Sequence, residues 1–168
     1  MRAWISKLSL APLLMLLPSF VVVAEQNTTV KEEYSKAKIA LDRSDYSTAR
    51  RIFSRLAKMG QVESQTELGL MYDKGLGVPR NYKKAVSLFR LAAEQKDPIA
   101  QYHLGIKYVN GHGVRENPKE AYVWFAIAFN NGNELAADPL RVLNQSLSTV
   151  DRQNALKVVV KKMEELRK

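Results

Sequence analysis

From Lys31 to the carboxyl end, apolar residues return at intervals of three and four, the spacing that lines one face of an α-helix. Ala85, Phe89 and Ala92 are one such stripe, and Leu68 with Tyr72 is another. Capping residues punctuate the pattern. Asp45, Asn81, Asp97 and Asn117 each stand just before an apolar-periodic stretch, where a side-chain oxygen accepts from the free amides of a first helical turn. Pro98 and Pro118 directly follow two of them, at the first helical position, where a missing N–H does no harm. The pattern predicts helices near residues 30–42, 46–59, 63–74, 82–95, 98–109 and 118–130, and a terminal pair near 134–145 and 149–167.

A second regularity lies over the first. Leu68, Gly69, Tyr72, Gly75, Gly77, Val78, Ala85, Phe89 and Ala92 recur 36 positions later as Leu104, Gly105, Tyr108, Gly111, Gly113, Val114, Ala121, Phe125 and Ala128. A fixed period of this length marks a helical solenoid, in which each repeat buries its apolar face against its neighbours. The repeated positions have assignable tasks. Leu68 and Tyr72 point into the core, and Gly69 beside them lets the paired helix come close. A mid-helix glycine costs ~1 kcal/mol relative to alanine, so close packing is the expected return. Gly75 is placed to end the first helix in the left-handed conformation.

These segments resemble the Sel1-like repeat family, a relative of the tetratricopeptide repeats. The resemblance rests on Leu68-Gly69, Tyr72, Gly75-Leu76-Gly77-Val78, Lys84-Ala85 and Ala92-Ala93. The second copy carries Leu104-Gly105, Tyr108, Gly111-His112-Gly113-Val114 and Glu120-Ala121. It implies an all-α, right-handed α-solenoid of antiparallel helix pairs, with about eight helices and a capping carboxyl-terminal helix. Two full repeats are expected at 63–98 and 99–134. Residues 31–62 keep Ala49 and Phe53 at the 36-residue offset but lack the Leu-Gly pair, and read as an atypical amino-terminal pair. At 135–168 Arg141 replaces the repeat glycine, which suits capping helices, and Ser148 with Asp151 resembles a capping box.

The amino end differs in kind. Arg2 and Lys7 precede an apolar run from Leu8 to Val23, and Val22-Val23-Ala24 offers small residues where a signal peptidase reads. We expect residues 1–24 to be a signal peptide cut after Ala24, delivering the chain to the periplasm or beyond. Pro12 and Pro18 weaken the rival reading of a retained membrane anchor. Residues 25–30, which lack periodicity, are expected to form a flexible leader.

The 168-residue chain carries a net charge of +9, of which Arg2 and Lys7 supply two units, leaving +7 from Glu25 onward. A basic surface meets anionic partners or serves solubility; after export, nucleic acid is not expected. There is no cysteine, hence no disulfide, thiolate metal site or cysteine nucleophile. His103 and His112 are the only histidines, and no nucleophile elbow, phosphate loop or zinc motif appears. No catalytic, cofactor or metal residues are assigned.

The chemistry that remains is binding. The helical wheel places Thr66, Leu70 and Asp73, then Tyr102, Ile106 and Val109, on the side of the first helices away from Leu68 and Leu104. On that reading Leu70, Tyr102, Ile106 and Val109 form an apolar strip on the concave face, flanked by Glu67 and Lys107. The expected function is an exported scaffold that binds a protein or peptide partner there. A cell-wall or polysaccharide-directed binder or hydrolase is the alternative. A competing possibility for the strip is that the terminal helix folds across and covers it.

Overall fold

The computed structural model describes residues 19–167, with side chains described from Thr29. Residues 1–18 of the expected signal peptide lie outside the described residues. Eight α-helices follow one another among the described residues: α1 Ser19–Asp42, α2 Tyr46–Lys58, α3 Val62–Lys74, α4 Tyr82–Glu94, α5 Pro98–Asn110, α6 Pro118–Asn130, α7 Ala137–Ser146 and α8 Thr149–Arg167. A 3-10 turn over Glu134–Ala136 leads into α7. Helices α1/α2, α3/α4 and α5/α6 pack as pairs, and α2/α3 and α4/α5 join one pair to the next. This is the expected all-α solenoid.

Local chemistry sets the boundaries. Asp45, Asn81, Asp97 and Asn117 all cap as expected, each side chain accepting from an amide of the first turn. Gly75 and Gly111 end α3 and α5 in the left-handed conformation. Ser148 and Asp151 form the reciprocal cap of α8: Asp151 N donates to Ser148 Oγ, and that hydroxyl donates to the Asp151 carboxylate.

One expectation fails. Residues 25–30 are not an irregular leader; they continue the helix from Ser19 to Asp42. No glycine or proline lies between Pro18 and the end of α1, so nothing in the chain stops the helix there.

The repeat is visible in its core. Phe53, Phe89 and Phe125, each 36 residues from the next, are buried in successive helix pairs. Phe89 and Phe125 lie over the glycines of their partner helices, as a Cβ on Gly69 or Gly105 would stand 2.7 Å from the ring. Close approach therefore is what these mid-helix glycines secure. Gly113 has a second task. At φ +80° it brings its loop onto the preceding repeat, where an added Cβ would lie 2.5 Å from the Tyr82 backbone.

The carboxyl end breaks the rhythm. Helices α7 and α8 both pack on α6. Two contacts locate α8: Lys119 Nζ to Asp151 at 3.2 Å, and Lys162 Nζ 4.8 Å from the centre of the Trp124 ring. Lys119 and Trp124 both belong to α6, the second helix of its pair.

Candidate partner-binding surface

Polar ties between repeats set the geometry of the first-helix face. Thr66 Oγ1 donates to Asp97 Oδ2 at 2.5 Å, fastening α3 to the cap of α5. Lys107 of α5 forms an ion pair with Asp73 of α3, and its Nζ stands 5.2 Å from the centre of the Tyr82 ring. Lys38 of α1 pairs with Glu67 at 2.7 Å, and Tyr34 Oη donates to the same carboxylate at 3.5 Å. Burial, then the Glu67 charge, pushes the Tyr34 hydroxyl up to about 12.

These ties correct part of the sequence reading. Lys107 is buried, 4% exposed, and is no flank of an open groove. Its ammonium is neutralised by Asp73 across the repeat boundary. Thr66 is buried as well, against Asp97. Asp73 and Glu67 are half-buried and already occupied by Lys107 and Lys38.

The apolar members sit differently. Leu70, Tyr102 and Ile106 are half-buried and Val109 is exposed. Leu70 and Ile106 are the same position in two successive repeats. Tyr102 leans on the Phe125 ring, centroids 5.6 Å apart, so it is part of the wall and does not face outward freely. Helix α8 packs on α6 and not along α3.

Both histidines are accounted for by packing. His103 stacks on Phe89 at 5.2 Å and His112 on Tyr82 at 4.4 Å between ring centres. Burial, reinforced by the Lys107 charge, holds the His103 imidazole down at about 4, so the ring is neutral at pH 7. Among the described residues no group of three or more His, Asp and Glu side chains is placed to hold a metal ion.

Sequence reasoning overlooked the second-helix side. A groove of about 680 Å³ runs between α2 and α4. Leu68, Tyr72, Leu88 and Leu91 line it, and Arg50, Lys58, Lys83 and Lys84 form its rim. One repeat later lies its counterpart, with Tyr108, Trp124, Arg90, Glu94, Glu120 and Lys162 among its lining residues. The signal was present in the chain: subtracting 36 from Glu94 and Glu120 gives Lys58 and Lys84, a charge reversal between two copies of one site.

The comparisons agree with this architecture. The model of the Sel1 repeat matches residues 62–97 and 98–133. Among solved structures, c5321, described as a protective antigen present in uropathogenic Escherichia coli strains displaying an SLR fold, superposes with a TM-score of 0.78. Its sequence is 25% identical, over 82% of this chain and 30% of that one. A Sel1 repeat protein from Oxalobacter formigenes gives a TM-score of 0.53 at 25% identity, over 71% of this chain and 58% of its own. The chain thus spans less than two thirds of the length of either neighbour. No curated protein matches it. Sel1 repeats generally mediate protein–protein interaction. The periodic core, the glycine-mediated helix pairing and the two matched segments show that this chain contains two Sel1 repeats, at residues 62–97 and 98–133.

Proposed function

We propose that this chain is an exported scaffold that docks a protein partner on the face of its first helices, α3 and α5. The observation that carries the reading is the pairing of Leu70 with Ile106. Both are apolar, both are half-buried, and they stand at one position of two rigidly stacked repeats. Val109 extends the row at 39% exposure and Tyr102 walls it. A regular row of partly exposed apolar side chains on a fixed framework suits a partner that inserts its own apolar anchors. The charges around the row are already paired within the fold, so a partner meets an apolar surface without having to strip water from free ions.

Export rests on the amino-terminal sequence: a positive start, an apolar run broken by two prolines, and small residues up to Ala24. Among the described residues no helix is long and apolar enough to cross a membrane. Mass spectrometry of the protein from its native host tests this part: a first residue of Glu25 supports it, and an intact amino terminus in the membrane fraction contradicts it. The docking part is tested by capture from native envelope extract with Leu70→Asp and Ile106→Asp combined.

A further inference from the structure

The groove between α2 and α4 is bare on both walls, whereas in the next repeat helix α8 packs on the α6 wall and reaches the counterpart groove, itself about 750 Å³, through Lys162. On α6 that face consists of Lys119, Glu120, Val123, Trp124 and Ile127; on α4 the corresponding residues are Lys83, Lys84, Ser87, Leu88 and Leu91. Helix α8 lies along the α6 face, held at Lys119 by Asp151 and at Trp124 by Lys162. Ala155 and Val159 of α8 are buried in the same core cluster as Val123, Trp124 and Ile127. Ile127 is fully buried while Leu91 is 50% exposed. The fold thus shows, within itself, a helix seated on one copy of this face.

The open copy has its own electrostatics. Arg50, Lys58, Lys83 and Lys84 are all exposed, and none has an ion-pair partner among the described residues. Lys83 retains the charge of Lys119, which in the next copy receives Asp151. Lys84 and Lys58 stand where the next copy has Glu120 and Glu94. An occupant of the open groove therefore needs small apolar anchors over Leu88 and Leu91 and carboxylates along both edges. Helix α8 of a second copy is a poor fit, because Arg152, Lys157, Lys161, Lys162 and Arg167 outnumber its acidic residues.

We propose that the α2/α4 groove is a docking site for an acidic amphipathic helix of a partner protein, seated as α8 is seated on α6. This surface lies apart from the α3/α5 row, and neither proposal depends on the other.

The test uses the full chain and a fluorescent synthetic peptide with the sequence of residues 149–167 in which Arg152, Lys157, Lys161, Lys162 and Arg167 are replaced by Glu. Fluorescence anisotropy should show saturable binding, weakened tenfold or more by Lys83→Glu with Lys84→Glu and again by Leu88→Asn. Circular dichroism confirms that both variants stay helical, and Lys119→Gln in the next copy should leave binding unchanged. Absence of saturable binding overturns the proposal. So does equal or tighter binding of the unaltered 149–167 peptide, which makes the groove a contact between copies. Poly-L-glutamate binding as tightly as the peptide, indifferent to Leu88→Asn, overturns it as well, because the site is then only a patch for anionic polymers.

Discussion

Gly105 of α5 lies directly under the ring of Phe125 in α6: a Cβ at Gly105 would stand 2.7 Å from two of the ring atoms and 2.9 Å from a third. Phe125 is 1% exposed, so the ring has nowhere to retreat. Alanine in mid-helix ordinarily gains ~1 kcal/mol over glycine. Here Gly105→Ala is expected to destabilise by ~1–3 kcal/mol, as overpacking does. Urea unfolding checks it, and Phe125→Leu added to Gly105→Ala should recover part of the loss. A stabilised Gly105→Ala would contradict the close-packing role of the repeat glycines.

The Lys107–Asp73 pair makes a second prediction. Lys107 is the more deeply buried partner, with 5% side-chain exposure against 14% for Asp73. Removing Asp73 strands the buried ammonium, so Asp73→Ala should cost ~3–5 kcal/mol. Lys107→Met leaves the better-solvated carboxylate alone and should cost less. The double change Asp73→Leu with Lys107→Met should lie close to the native protein, since an apolar pair of similar volume avoids desolvating two charges. Denaturation of the three variants checks the order.

His103 gives a pH dependence. Its folded value of about 4 lies below the ordinary 6.5, so between these limits the unfolded chain binds the extra proton. Stability from this group is present above pH 6.5 and is lost as pH falls toward 4. Between pH 7 and pH 5 the loss is at most roughly 2 kcal/mol, reduced by the ring's partial contact with solvent. His103→Gln should flatten that part of the pH profile in chemical denaturation. A variant with the native slope would place the titration elsewhere.

The repeats were legible because a solenoid writes its packing into the chain at a constant offset: Phe53, Phe89 and Phe125 declare the core without reference to anything distant. What lies between repeats was less legible. Lys107 sits only about 60° around the helix from Leu104, close to the core stripe, but its charge suggested water. Only the stacking of α5 on α3 brings Asp73 to meet it. The extent of α1 was hidden for the opposite reason, since residues 25–30 carry no apolar rhythm to announce a helix. The α2/α4 groove escaped because its two walls come from different repeats, and its meaning emerges only beside the α6 face on which α8 packs.

The proposed function turns on a partner docking along the row through Leu70 and Ile106. Capture from native envelope extract, comparing the native chain with Leu70→Asp/Ile106→Asp, tests it most directly. Circular dichroism and urea unfolding should show a folded variant, somewhat destabilised because both side chains are half-buried. Captured proteins should be lost by tenfold or more, since a charge set against an apolar anchor carries a desolvation penalty. A folded double variant that captures the same proteins in the same amounts would contradict the claim.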